Sequence, residues 1–251
     1  SVMRASLWPG MAAAAAANNA RQQDRVRLFE ISKSFHGSLG NHTEVLRIGG
    51  LATGPVNPEQ WDVVAESVDF FDIKADVEAL LALAGNKSEI VFRAFVHPAL
   101  QPGQSAEIVR NDEVIGVVGK LHPKIAKQYD LKRATYLFEL DADKTLASQA
   151  PIAESISKFP TIRRDVSVIV DEEVLARDLV SVIEQSSPDL IQGVRIFDIY
   201  KGQGIEAGRK SVAIGLILQE TSRTLTDDDA DEVMAAIIKQ LRDQFAAELR
   251  D

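Results

Sequence analysis

The order of periodic segments after residue 157 constrains the fold more than any other feature of the sequence. From residue 158 onward the chain reads strand, helix, strand, strand, helix, and a short final strand can follow. The run "SVAIGLILQ" (211–219) alternates cleanly, and successive side chains of a strand point to opposite faces. Its apolar members are Val212, Ile214, Leu216 and Leu218. This order predicts a ferredoxin-like βαββαβ sandwich, with two helices on one face of a four-stranded antiparallel sheet.

The preceding residues read as a second and larger set of strands and helices. Alternating runs predict strands near 25–35, 44–54, 90–96, 104–110, 113–121 and 134–140. An alanine-rich run reaching Ala20 and an amphipathic run over 69–85 predict helices. Residues 142–157 have weak periodicity and contain Pro151, so we expect domains at 1–150 and 151–251. The predicted fold class is α+β.

Composition excludes several classes of site. The chain has 251 residues, of which 45% are hydrophobic, and it contains no cysteine. Disulfides, thiolate nucleophiles and cysteine metal sites are therefore excluded, which suits a reducing cytosol. No apolar run approaches the ~20 residues that a membrane helix needs. The first residue is Ser1 and the sequence starts inside a helix-like segment, so we expect a piece of a longer chain.

Charge is separated within the predicted second domain. Its strand segments, 158–170 and 190–223, hold 8 basic and 4 acidic residues, a net charge of +4. Its helix segments, 171–189 and 224–251, hold 4 basic and 14 acidic residues, a net charge of −10. The whole chain has a net charge of −9, which argues against a surface uniformly coated for nucleic acid. The basic residues instead collect on the sheet.

The sheet face away from the helices is predicted to be flat. Ser211, Ala213, Gly215 and Gln219 would line it in strand 211–219, and "VRIFDIYKG" (194–202) places Asp198 and Tyr200 on a common side. If that side is the flat one, an aromatic ring lies on a platform rimmed by arginine and lysine. Such a surface suits single-stranded RNA, whose bases stack and whose phosphates attract cations. An open sheet face can equally be buried by another domain.

The motifs of the last domain resemble a known family. "KFPTIRRDVSVIV" (158–170), "GVRIFDIYKGQGIEAGRKSVAI" (193–214) and "LQETSRTLTDDD" (218–229) are similar to the ferredoxin-fold anticodon-binding domain of bacterial phenylalanyl-tRNA synthetase beta chains. Earlier segments resemble the preceding part of the same chains. They are "SVMRASLWPGM" (1–11), "RVRLFEISKSF" (25–35), "DFFDIKADVEALL" (69–81), "HPALQPGQSAEI" (97–108) and "GVVGKLHPKI" (116–125).

The resemblance implies a cytoplasmic heterotetramer of two alpha and two beta chains that charges tRNA(Phe), using ATP and magnesium. The alpha chain would carry the active site. Residues 1–150 would form a degenerate, non-catalytic class II synthetase-like module, an antiparallel sheet with helices that is incomplete at its N-terminus. Residues 151–251 would bind the tRNA anticodon stem-loop. No cofactor or metal is expected in this part of the chain, and neither DNA nor a membrane is an expected partner.

The residues themselves also argue against catalysis. A working class II strand carries an Arg-x-Glu arrangement, whose arginine clamps the α-phosphate of ATP. Here Arg27 and Glu30 are three residues apart, so they should point to opposite faces of a strand. No arginine follows "YLFEL" (136–140) where a second one is needed. The four histidines lack metal-ligand spacing, and His97 and His122 each precede a proline, which predicts strand-to-turn transitions.

The candidate RNA-binding residues are Arg163, Arg164, Asp198, Tyr200, Lys201, Lys210, Ser211 and Arg223. The cations would hold phosphates, Tyr200 could stack on a base, and Asp198 could accept a hydrogen bond from guanine. Structural alternatives stay open for several of these residues. Arg164 and Asp165 could cap the sheet edge, Asp198 could pair with Lys210, and Tyr200 could belong to the core.

Two other functions also stay open. One is a regulatory ferredoxin-like module that binds a small ligand at a domain interface. That function predicts glycine-rich loops between a strand and a helix, whereas "KGQGIEAGRK" (201–210) joins two strands. The other is a purely structural module whose open sheet is covered by protein.

Overall fold

A computed structural model describes residues 3–38, 40–83, 90–147 and 157–250. The chain divides into two compact units, Ser1–Ile152 and Ala153–Asp251. The predicted boundary between residues 150 and 151 lies outside the described residues, and so does the predicted helix end at Gly85.

The first unit is built on a six-stranded antiparallel sheet. Its strands are β1 (Val26–Ser38), β2 (Asn41–Thr53), β3 (Ile90–Ala94), β4 (Leu100–Arg110), β5 (Glu113–Leu121) and β6 (Thr135–Asp141). They lie in the order β1-β2-β6-β5-β4-β3. All six coincide with predicted strands.

Helices cover both faces of this sheet. Within the described residues, these helices are α1 (Trp8–Asn19), α2 (Phe70–Leu83), α3 (Pro123–Gln128) and α4 (Ala142–Leu146). Along β6, Phe138 packs in the core that contains α2, while its neighbour Leu137 packs in the core that contains α1. Alternation along one central strand therefore serves two hydrophobic cores. Within the described ranges, no helix has the length and apolarity that crossing a membrane requires.

The second unit has the predicted βαββαβ order. Its elements are β7 (Ile162–Asp171), α5 (Ala176–Ser186), β8 (Ile191–Tyr200), β9 (Arg209–Leu218), α6 (Asp227–Phe245) and β10 (Glu248–Leu249). The strands pair antiparallel in the order β10-β7-β9-β8. The ferredoxin-like prediction is confirmed.

The core of the second unit lies between the sheet and its two helices. The four alternating apolar residues of β9 are buried there with Leu179 and Ile183 of α5 and with Ile237 and Leu241 of α6. Thr226 caps α6: its hydroxyl accepts the amide of Asp229 while the Asp229 carboxylate accepts the amide of Thr226, a reciprocal capping box. Because both helices pack on this side, the other side of the sheet is free to form a site.

Candidate nucleic-acid interface

The side of the second sheet opposite α5 and α6, here called the open face, has a centre of small residues. On β9 these are Ser211, Ala213 and Gly215, and on β7 Ser167 lies directly opposite Ala213. A Cβ atom added at Gly215 would come within 3.0 Å of the Asp165 carboxylate, so a neighbouring side chain lies close over the backbone there. The predicted small residues lie on this side of the sheet, but Ser211 and Ala213 are only 3% and 8% exposed, so neighbouring side chains cover much of it.

Strand β8 supplies candidate side chains along one border of the open face. Arg195 lies opposite Gly215, Asp198 opposite Ala213, and Tyr200 opposite Ser211. The register shifts between Ile196 and Asp198, which leaves Phe197 as an extra residue with 51% of its surface exposed. Such a bulge re-aims side chains next to functional sites. The expectation that Asp198 and Tyr200 share the open side is confirmed.

Tyr200 is exposed on the platform and is not a core residue. It keeps 36% of its surface exposed, and its hydroxyl donates to the Gln203 carbonyl at 3.3 Å. A Cβ atom at Gly202 would come within 2.8 Å of that hydroxyl, and Gly202 also has a positive φ of 155°, so glycine is required there. The ring is therefore fixed in place by the loop that follows it.

Arg250 contacts Tyr200 from the far border of the open face. Its guanidinium carbon lies 5.0 Å from the centroid of the Tyr200 ring, which is cation–π geometry. Its backbone amide donates to Ser167 on β7, so the two side chains meet across the small residues of the sheet. Sequence reasoning missed Arg250, because the two-residue strand β10 is too short to reveal which face its neighbours occupy.

Two charged residues on the open face have no side-chain partner among the described residues: Arg195 and Asp198. The alternative pairing of Asp198 with Lys210 is wrong, because Lys210 lies on the opposite side of β9. Sequence reasoning counted Arg195 among the basic strand residues without selecting it as a candidate. Arg195 lies two residues before the bulge, and only the strand register shows that it faces the open side.

Arg163 and Arg164 lie on opposite faces, which corrects the expectation of a shared surface. Arg163 is on the open face, 2.9 Å from the Asp165 carboxylate, with its guanidinium 5.8 Å from the Phe197 ring centroid. Arg164 points to the helix side and pairs with Asp227 at 2.5 Å and with Asp231 of α6. The hydrogen bond to Asp227 raises the pKa of Arg164. Adjacent strand residues alternate, so both could not face one ligand.

Lys201 and Lys210 contact the loop that follows β7. Lys210 donates to the carbonyls of Val174 at 2.6 Å and Glu172 at 2.9 Å. Lys201 forms an ion pair with the Glu172 carboxylate, and its hydrogen bond lowers the pKa of that group. Both lysines thus hold a loop at one end of the sheet.

Arg223 serves the N-terminus of α6. It forms a bidentate ion pair with Asp229, at 2.7 and 2.9 Å, and lies 3.0 Å from Glu220. The hydrogen bond from Arg223, followed by those from Thr226, holds the pKa of Asp229 well below its usual range. Of the eight candidates, the open face gathers Arg163, Asp198, Tyr200 and Ser211. RNA contact by all eight stays a prediction.

In the first unit, the strand that resembles a class II catalytic strand has its charges on opposite faces, as predicted. Arg27 forms an ion pair with Asp76 of α2, on one side of the sheet. Glu30 pairs at 2.7 Å with Arg4, from the segment that precedes α1, on the other side. A single phosphate-bearing ligand could not contact both side chains from one face.

The two His-Pro sequences form turns, as predicted. The Nδ1 atom of His97 accepts the amide of Ala99 at 3.2 Å, its ring packs edge-on against Trp8, and burial lowers its pKa. His122 caps α3 by accepting the amide of Lys124. Across the described ranges, no group of three or more His, Cys, Asp or Glu residues is placed to hold a metal ion.

Comparison with known proteins identifies the family. Residues 1–142 match the model of the phenylalanyl tRNA synthetase beta chain CLM domain. Residues 157–250 match the model of the ferredoxin-fold anticodon binding domain. The two matches lie on either side of residues 148–156, which are outside the described ranges.

Curated relatives match over the whole of this chain. Phenylalanine–tRNA ligase beta subunits from Shewanella oneidensis and Methylococcus capsulatus are 42% and 44% identical over 254 and 250 aligned residues. Each match covers 100% of this chain and 32% of the relative, so the chain spans about a third of their length. A solved pyrrolysyl-tRNA synthetase from Desulfitobacterium hafniense overlaps 57% of this chain and 48% of its own, with a TM-score of 0.42 and 13% identity. The chain belongs to the phenylalanyl-tRNA synthetase beta-chain family.

Proposed function

We propose that this chain is part of the beta subunit of a cytoplasmic phenylalanine–tRNA ligase, and that its open face binds the anticodon stem-loop of tRNA(Phe). The observation that carries the proposal is a pair of charges, Arg195 and Asp198, that have no side-chain partner in the described part of the chain and lie beside the exposed rings of Phe197 and Tyr200. An unpaired carboxylate and guanidinium on a flat surface can bind a ligand without first breaking contacts within the protein.

Each part of the open face matches one part of an unpaired RNA loop. The rings of Tyr200 and Phe197 offer stacking surfaces to bases, which keep a π-face whatever their sequence. Asp198 can accept hydrogen bonds from the Watson–Crick edge of guanine, whereas Ser211 is only 3% exposed and could reach a base only after neighbouring side chains move. Arg195 can hold a phosphate directly, and Arg163 can do so by sharing or exchanging its ion pair with Asp165.

The remaining candidates would act at the rim. Arg164, Lys201, Lys210 and Arg223 are already engaged with carboxylates or carbonyls of this chain, so phosphate contact would require them to share or exchange partners. Surface ion pairs are weak, so Arg164, Lys201 and Arg223 could make this exchange at small cost, whereas Lys210 would have to leave two backbone carbonyls. We therefore assign these four a supporting role in RNA binding.

The first unit, residues 1–150, is proposed to be a non-catalytic class II synthetase-like module. ATP and magnesium would be bound by the alpha chain in the holoenzyme. The opposite orientations of Arg27 and Glu30 do not fit an ATP site in this unit, so no step of adenylate formation is assigned to its residues. The anticodon-binding domain would comprise residues 151–251.

An exposed apolar groove supports subunit assembly as the role of the first unit. Between β1 and α2 lies a groove of about 470 Å³, lined by Phe29, Leu80, Leu83 and Phe138 among others. Phe29 is 81% exposed and Leu83 is 86% exposed. Large exposed apolar side chains that cluster are typical of protein–protein contacts. We propose that the alpha chain covers this groove in a tetramer of two alpha and two beta chains.

The test is a titration of the 251-residue chain with a fluorescent anticodon stem-loop of tRNA(Phe), beside an unrelated stem-loop, at low ionic strength. Low salt is needed because phosphate contacts weaken steeply as salt rises. We expect preferential binding of the tRNA(Phe) loop. Asp198→Ala should reduce that preference, whereas Arg195→Ala should weaken the binding of both stem-loops.

The matched control is Arg93→Ala, which removes an exposed arginine of the first unit that is paired with Glu107. It should leave both affinities unchanged. Equal affinity of the wild-type chain for the two loops would contradict anticodon recognition. Absence of binding by the folded chain would favour a purely structural module.

A further inference from the structure

The connection between β5 and β6 in the first unit concentrates positive charge in a chain that is acidic overall. Residues 120–133 contain five basic residues and one acidic residue, a net charge of +4. The basic residues are Lys120, Lys124, Lys127, Lys132 and Arg133. None of them belongs to the open face of the second unit.

The fold gathers four of these cations around one cleft. Lys120 lies near the end of β5, Lys127 in α3, and Lys132 with Arg133 before β6. Together with Asp130 they line a cleft of about 370 Å³, here called the basic cleft. Leu131 is buried in the core beneath it, which anchors the loop between Asp130 and Lys132.

Most of this positive charge is not neutralised by the protein. Among the described residues, the side chains of Lys127 and Lys132 have no hydrogen-bond or ion-pair partner, and Lys120 has only the Tyr136 ring, at 5.9 Å. Arg133 pairs with Asp24 at 3.1 Å, and Asp130 lines the cleft and offsets one further charge. A net positive cleft remains, and like charges held together favour binding of an anion.

We propose that the basic cleft is a second RNA-contact surface, which binds phosphates of the tRNA backbone. Lysine offers a compact charge with three rotatable donors, suited to phosphate oxygens in many geometries. The cleft is otherwise lined by Pro123, Ala126, Leu131, Ala134 and Thr135, which offer no aromatic ring for stacking. Contact here would therefore be independent of sequence. This inference rests on the proposed function, since it assumes that the chain binds tRNA.

The test uses the 251-residue chain, a tRNA(Phe) transcript and salt concentrations from about 50 to 200 mM. The variant is Lys127→Gln with Lys132→Gln. We expect roughly tenfold weaker binding at low salt and a log–log salt slope that is shallower by about 1 to 2, since each lost phosphate contact removes close to one counterion. The control, Lys33→Gln with Lys239→Gln, makes the same change of charge on other surfaces and should keep the wild-type slope.

The two proposals fail in different ways. An unchanged salt slope in the cleft variant, or an equal change of slope in the control, would overturn the proposal that the basic cleft binds RNA. Neither result would affect the proposed preference for the tRNA(Phe) anticodon loop. The preference for the tRNA(Phe) stem-loop should be the same in the cleft variant and the wild type. Loss of that preference in Asp198→Ala alone would support the open face as the anticodon site, and it would not bear on RNA binding by the basic cleft.

Discussion

Replacing Tyr200 by alanine tests whether its ring stacks on a base of the anticodon loop. Removing a stacking ring from a single-stranded RNA site costs roughly 1–3 kcal/mol of binding free energy. In the free protein, however, the Arg250 guanidinium already lies 5.0 Å from that ring. A base that stacks on the ring in place of the Arg250 guanidinium removes a cation–π contact worth about 0.5–1 kcal/mol. The expected net loss is about 0–2.5 kcal/mol with a centre near 1 kcal/mol, which is roughly fivefold in Kd.

Fluorescence anisotropy with the 251-residue chain and the tRNA(Phe) stem-loop measures this loss. Tyr200→Phe keeps the ring and removes only the 3.3 Å hydrogen bond to Gln203, so its affinity should stay within about threefold of wild type. Phe71→Ala removes an exposed ring from the first unit and serves as the matched control. Wild-type affinity in a folded Tyr200→Ala variant would refute the stacking role.

Three further predictions concern the second unit. Arg164→Ala should lower the thermal stability of the unit, because it breaks the contacts with α6, and it should leave the preference between stem-loops unchanged. Thermal unfolding followed by circular dichroism measures the first effect, and the stem-loop titration measures the second. A lost preference would contradict the placement of Arg164 on the helix side. Ile214→Ala should lower the free energy of unfolding by about 2–5 kcal/mol, because it leaves a cavity between sheet and helices, and a urea midpoint near wild type would contradict the packing. The ion pair of Asp229 makes its folded pKa lower than its unfolded pKa, so its stabilisation is present above the unfolded value, about 3.9, and is lost as pH falls toward the folded one. Asp229→Asn should therefore be less stable than wild type at neutral pH and equally stable in strong acid, and a pH-independent difference would contradict the ion pair.

Strand β9 was predictable because it buries one distinct side. In β9, the residues from Val212 to Leu218 alternate between a core under two helices and the open face, which receives Ala213, Gly215 and the exposed Ile217. That pattern fixes which face is which without knowledge of the neighbouring strands. The charge separation was also predictable, because most acidic residues of this unit lie in its helix segments and most basic residues lie in its strand segments.

The candidate site was predictable only in part, because its members depend on register and on contacts between distant segments. The adjacent arginines of β7 could be assigned to a strand, but which of them faces the helices depends on the carboxylates of α6. The bulge at Phe197 changes the facing of β8 and has no mark in the sequence. Arg250 reaches Tyr200 from another strand, and pairing between strands far apart in sequence is not visible in a local pattern.

The helix α4 was missed for a different reason. Its five residues, Ala142–Leu146, are too few to show helical periodicity. The helix begins because the Asp141 carboxylate accepts the backbone amide of Lys144 at 3.2 Å. A cap of this kind gives a short helix a defined start that hydrophobic patterning cannot indicate.

Photo-crosslinking tests the central claim, that the open face binds the anticodon loop, most directly. The tRNA(Phe) stem-loop would carry 4-thiouridine at each unpaired anticodon position in turn, and crosslinked peptides of the 251-residue chain would be identified by mass spectrometry. The account predicts crosslinks within residues 191–218, on the open-face residues of β8 and β9. Crosslinks confined to α5 and α6, on the acidic side of the unit, would contradict it.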